Sequence, residues 1–421
     1  MNLVSSLRVA RHVALALLIT LTASAADEPL TLDAAIEHAI RDAPQIVAAQ
    51  SSLDGAEAIL PGAARLPDPE LILGVDNLPV SGTDQFSLTR DFMTMRKAGI
   101  MQTVPAGAKR RYRAEAASRE VDVAAAELRA ARFQAASSAA EAWIATAVAE
   151  ETLERVRSLK TDLGFQSSTA RAAFSSGRGT AADALASETT IARIDDQLLE
   201  LEQQRAMRRA ELARWIGGEA SQQLGGLPWK RELMMAPEIL IQEVASHPPL
   251  APLAARVEAA RTAVDLARAE KRPDWSAELS FAKRGPDYSD MVSLEFRVGL
   301  PLFARSRQNP AIAEKLAKVR ASEAELDAET RMHRAEIESM VALWRSGRLR
   351  LQHFESTLLP LARDRSRAIL TAYGSGRGEL REALEALRDE VEVQREYVTL
   401  EGDVTRAWAF LHLLHASGAT P

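Results

Sequence analysis

The stretch "GELREALEAL" carries Glu382 and Glu385 three residues apart, so a helix there sets both carboxylates on one face, where they can attract a cation. An ordinary solvated helix face carries the same residues. Just before it, "YGSGRGEL" has the glycine spacing of a dinucleotide loop. That fingerprint needs a preceding strand inside a βαβ unit, and here a helical pattern precedes it. "FMTMRKAGIM" supplies Met93, Met95 and Met101. In a strand, Met93 and Met95 would share one face, and thioether sulfur suits Cu(I), although packing is the usual reason for methionine. These two are the metal candidates. Among the seven histidines, His12 lies in the leader, and His38, His247, His333 and His353 show no pairing at ligand spacing. His412 and His415, three apart, read as packed or surface helix residues. The sequence has no HExxH and no G-x-S-x-G, and its lack of cysteine excludes disulfides, thiolate metal sites, cysteine nucleophiles and an N-terminal lipid anchor. We therefore expect no catalysis and no cofactor.

The elements that must position these residues are mostly helical. A chain of 421 residues with abundant alanine and 5% aromatics favours long, closely packed helices over one ball around one core. Residues 1–25 read as an export signal: Arg8 and Arg11, then apolar "VALALLITL", then "ASA" at Ala23 to Ala25. The formal charge of −6, more negative once those arginines leave, gives no basic stripe for nucleic acid. Beyond the leader no apolar run reaches the roughly 18 residues of a transmembrane helix, so membrane entry would require strands in a closed barrel.

Two such strand pairs are predicted. Glu70 to Asp76 and Lys97 to Val104 lie between a helical pattern over Leu32 to Ala64 and a longer one from Ala106 to Ser176. "PDWSAELSFAKRG" and "DMVSLEFRVGLP" lie between Val257 to Lys271 and Ala311 to Tyr373. Trp275, Ala277, Leu279 and Phe281 alternate, as do Val292, Leu294, Phe296 and Val298. A lipid-facing strand and one face of a soluble sandwich read alike at this point. The order repeats. "AFSSGRG" and "AYGSGRG" lie 199 residues apart, pairing Phe174 with Tyr373, Gly177 with Gly376, Arg178 with Arg377 and Gly179 with Gly378. "VPAGAKRR" answers "LPLFARSR". The plan is a first repeat at 26–216 (strands about 69–104, tip 174–180), a link at 217–240, a second repeat at 241–416 (strands about 274–302, tip 373–379) and a tail at 417–421.

With "LTLDAAIEHAIRDAPQI" at the mature start, these junctions and tips resemble the TolC family of outer-membrane efflux and secretion channels. "LPDPELILGVDNLPVSG" and the stretch through "VPAGAKRR" look most like its heavy-metal, CzcC- and CusC-like branch. The resemblance implies a mainly α protomer with a small β part. Three copies would form a homotrimer whose long coiled-coil helices make a periplasmic tunnel, each copy giving four strands to one 12-stranded outer-membrane β-barrel. It implies passive export, with heavy-metal cations as cargo and drugs or a secreted polypeptide as alternatives. The implied partners are a periplasmic membrane-fusion adaptor and an inner-membrane RND-type pump. The glycine tips, with Phe174, Tyr373, Arg178 and Arg377, would dock the adaptor. Glu382, Glu385 and Asp183 would ring the periplasmic entrance, where the family often carries aspartates and this chain has glutamates. A soluble periplasmic scaffold is the alternative of another class.

Overall fold

The computed structural model describes residues 29–175 and 180–416; the leader, residues 176–179 of the first tip and the tail lie outside them. The helices are α1 (Leu32–Asp42), α2 (Pro44–Ile59), α3 (Gly107–Ser175), α4 (Ala181–Ile216), α5 (Pro237–Gln242), α6 (Ala251–Ala269), α7 (Gln308–His353), α8 (Leu359–Gly374) and α9 (Leu380–Ala416). A π turn, Phe354–Leu358, joins α7 to α8. The strands are β1 (Glu70–Asp76), β2 (Met95–Val104), β3 (Trp275–Lys283) and β4 (Met291–Val298). The expected helix over Leu32 to Ala64 is broken at Ala43, whose backbone is extended (ψ 123°). Pro44 disfavours a helical conformation at the residue before it. Thr31 caps α1, its hydroxyl accepting from the Ala34 N–H at 3.2 Å.

The chain divides into two units. The first holds residues up to Ala43, Gln134–Leu240 and Ile337–Ala416. Its core joins Leu153, Val156, Leu159 and Leu163 of α3 to Ile194, Leu198 and Leu201 of α4 and to Leu380, Leu384, Leu387 and Val391 of α9. The three- and four-residue steps in each set are those of one apolar helix face. Elsewhere small residues bring backbones together: Ala139 and Ala142 are buried, and an added Cβ on Gly402 would lie 2.4 Å from Val148 Cγ2. The link segment is held by the N–H groups of two buried indoles. Trp143 Nε1 donates to the Leu30 carbonyl at 3.0 Å, Leu30 itself bridging Leu224, and Trp408 Nε1 donates to the Glu232 carbonyl at 3.0 Å.

The second unit holds Pro44–Phe133 and Ile241–Glu336. It contains the whole sheet, four antiparallel strands in the order β1-β2-β3-β4. Asp274, just before β3, accepts from the Ala106 N–H at 2.8 Å and from Lys109 Nζ at 2.9 Å. One carboxylate thereby satisfies an orphan donor at the start of α3 and pairs a lysine that is only 5% exposed.

Gly402→Ala is expected to destabilise the protein by about 1–3 kcal/mol, because the new methyl overlaps a β-branched neighbour that cannot swing aside. Gly226→Ala, which meets nothing within 4 Å, is the matched control. Thermal unfolding of the two variants checks this, and equal melting temperatures would count against the close-packing account.

Candidate functional site

The sheet is apolar where it meets solvent and polar where it is buried. Leu71, Leu73 and Val75 of β1, Leu279 and Phe281 of β3, and Val292, Leu294 and Phe296 of β4 alternate along their strands. The register carries them across as one face, Leu71 against Ile100, Ile100 against Leu279 and Leu279 against Leu294. That face is open, with Leu73 and Val292 each 71% exposed. On the other face Glu278 and Ser280 are 3% and 4% exposed. Lys97 Nζ lies 2.5 Å from Glu278, and Arg297 pairs with Glu278 at 2.9 Å and with Glu295 at 2.6 Å. A water-soluble sheet would reverse this distribution, while a strand between hydrocarbon and a wet interior requires it. No described helix is long and apolar enough to cross a membrane.

The second glycine tip is a helix hairpin in the first unit. The Arg377 N–H donates to the Ala372 carbonyl and the Gly376 N–H to the Tyr373 carbonyl, both at 2.9 Å, which closes α8 with a Schellman motif. Gly376 takes φ +74°, and a Cβ on Gly378 would lie 3.0 Å from the Tyr373 nitrogen, so both glycines are demanded by the backbone. Tyr373 packs half-buried on the first unit's leucine core, while Arg377 is exposed with Nε 3.2 Å from Ser375 Oγ. At the start of α9, Leu380, Ala383, Leu384 and Leu387 face the core and Glu382 and Glu385 face out. Neither glutamate has an ion-pair partner among the described residues. Of the first tip, Gly177, Arg178 and Gly179 lie outside the described residues; Phe174 and Asp183 have described backbone in α3 and α4.

The methionines do not form the expected strand pair. Met95 opens β2, but Met93 sits before it in a turn where its N–H donates to Asp91 Oδ1 at 2.8 Å. The ladder that would align the two sulfurs therefore holds only one. Two histidines that showed no ligand spacing in sequence do meet: His247 Nδ1 lies 3.2 Å from His333 Nε2, with both rings buried. His333 Nδ1 lies 3.1 Å from Glu336 Oε2. An ionised Glu336 only accepts, so His333 donates to it and accepts from His247. The 86-residue separation of the histidines hid this contact. The described residues contain no group of three or more His, Cys, Asp or Glu arranged to hold a metal.

Residues 240–417 match the family described as outer membrane efflux protein. The cobalt-zinc-cadmium resistance protein CzcC of Cupriavidus metallidurans is 27% identical over 290 residues. That alignment covers 67% of this chain and 65% of the relative, so it spans just under two thirds of the relative's length. The outer membrane protein VceC of Vibrio cholerae matches with a TM-score of 0.76 at 22% identity, over 92% of this chain and 96% of its own. A structure of CusC, whose description concerns folding and transmembrane channel formation, matches with a TM-score of 0.79 at 14% identity, over 96% of each chain. At such identities the likeness is one of fold: mainly helical, with a small four-stranded sheet, as expected.

Burial, with His333 beside it, pushes the His247 ring down to about 4. The fold thus favours the neutral ring while the unfolded chain takes a proton at the ordinary value of 6.5. Stability is full above pH 6.5 and falls by about 2–3 kcal/mol as the pH drops from 6.5 to about 4. His247→Phe, which cannot titrate, is expected to flatten this part of a melting-temperature profile. A profile with the same slope in both proteins would remove His247 as its cause.

Proposed function

We propose that this chain, whose residues 240–417 match the outer membrane efflux protein family, is the outer-membrane channel of a tripartite efflux system that passively exports heavy-metal cations. The observation that carries the reading is the sheet with apolar residues outside and ion pairs inside. Such a sheet is unstable as a free surface, and its outer strands β1 and β4 each have one side without a partner strand among the described residues. Three copies joined edge to edge satisfy both needs, closing a barrel that a homotrimer shares. In this reading residues 1–25 direct export, without a lipid anchor, and 26–216 and 241–416 are duplicated halves whose helices extend the conduit into the periplasm. Metal cargo is favoured by the 27% identity to a protein named for cobalt, zinc and cadmium resistance.

The tips complete the assignment. Phe174, Gly177, Arg178 and Gly179, with Tyr373, Gly376, Arg377 and Gly378, form the surface for a periplasmic adaptor that links the channel to an RND-type pump. Glu382 and Glu385, exposed and without ion-pair partners among the described residues, ring the entrance together with Asp183. Unpaired carboxylates repeated around a narrow opening raise the local concentration of cations.

Three results are expected. The protein partitions with the outer membrane and runs as a heat-modifiable trimer; a soluble monomer would overturn the channel reading. Loss of the gene sensitises its host to divalent or monovalent metals and not to lipophilic drugs. Drug sensitivity alone would keep the channel and discard the metal cargo. Glu382→Gln with Glu385→Gln lowers cation preference in single-channel recordings, and an unchanged preference would reduce the two glutamates to a solvated helix face.

A further inference from the structure

One rung of the sheet concentrates charge on its polar face. The register places Glu70, Met101, Glu278 and Glu295 side by side across all four strands. Glu278 and Glu295 are directly opposite one another, an arrangement in which like charges repel. Arg297, two residues along β4, lies between them: Nε is 2.6 Å from Glu295 Oε1 and Nη2 is 2.9 Å from Glu278 Oε2. Its Nη1 is 3.3 Å from Met101 Sδ. Lys97 holds Glu278 from β2 at 2.5 Å. The four charged groups cancel, and Glu70 adds a carboxylate with no ion-pair partner among the described residues.

Resting on the channel reading above, we propose that Arg297 sets the ionic preference of the barrel lumen by neutralising the Glu278–Glu295 pair. The geometry separates this role from that of an ordinary structural ion pair. Glu278 is 3% exposed, whereas the side chains of Arg297 and Glu295 are 51% and 52% exposed, so a passing ion meets these two. A guanidinium suits the position because it stays charged and its fork spans two carboxylates at once. Without it, two facing carboxylates and a thioether would hold a divalent cation and slow its exit. A conduit must attract its cargo without retaining it.

The test uses the purified full-length trimer in planar bilayers under a potassium chloride gradient at low ionic strength, where fixed charges are least screened. Arg297→Gln is expected to raise the potassium-to-chloride permeability ratio severalfold and to introduce block by added zinc. Glu295→Gln, a change at a half-exposed position, is expected to lower the ratio, and Glu278→Gln, at a buried position, to lower it less where that variant assembles. The opposite signs matter, because loosened packing alone would move Arg297→Gln and Glu295→Gln the same way or not at all. Either of those outcomes in a conducting trimer overturns the proposal and leaves the channel standing. Repeating the pair in the Glu382→Gln, Glu385→Gln background separates the lumen from the entrance: the shifts are expected to persist there, and their disappearance would assign the preference to the entrance instead. A wild-type protein that forms no channel would overturn both readings.

Discussion

Backbone N–H and C=O groups placed in hydrocarbon must all be paired within protein, because no water is there to replace the lost hydrogen bonds. The strand order β1-β2-β3-β4 leaves the outward sides of β1 and β4 unpaired among the described residues of one chain. The same sheet turns Leu71, Leu279 and Phe296 outward and Glu278 inward. Together these make the single protomer an incomplete object: its apolar face asks for lipid, and its edges ask for more strands. In the channel reading, assembly is therefore the condition for the sheet to exist in a membrane at all.

The helices meet a different constraint. A 69-residue helix such as α3 cannot rest on propensity alone and needs a continuous apolar partner surface. The leucine core of the first unit supplies it through residues of α3, α4 and α9, while Ala139, Ala142 and Gly402 let neighbouring backbones approach where leucine would not fit. Two buried indoles, those of Trp143 and Trp408, sit where the N–H has a carbonyl to meet.

Much of this was legible in the residues. Alternation located β3 and β4, and the duplicated "SGRG" located the hairpin whose φ of +74° at Gly376 only glycine adopts without strain. Alternation alone left open which face was wet, since a soluble sandwich shares the pattern. Exposure of Leu73 and Val292 is what favours the channel reading over the sandwich. Contacts between distant segments were invisible for a simpler reason: nothing local marks His247 for His333, or Lys97 and Arg297 for Glu278, until the register brings them together. Met93 misled because β2 starts two residues after it.

The two halves also show which features a duplicated fold keeps for geometry and which it is free to change. The 199-residue offset preserves the glycines of the tip, and in the described second tip Gly376 takes φ +74°, a conformation that side chains rarely adopt. It does not preserve helix continuity: α3 runs unbroken, whereas the second half inserts a π turn ahead of Pro360, whose missing N–H would interrupt the ladder in any case. It preserves one of the two charges, since Glu382 answers Asp183 but Glu385 answers Ala186. A backbone requirement has one solution and survives in both copies, while a carboxylate on an outward helix face is required by nothing in the packing beneath it. In the channel reading Glu385, present in one half alone, is explained by what passes it, and that is where a fold argument hands over to a functional one.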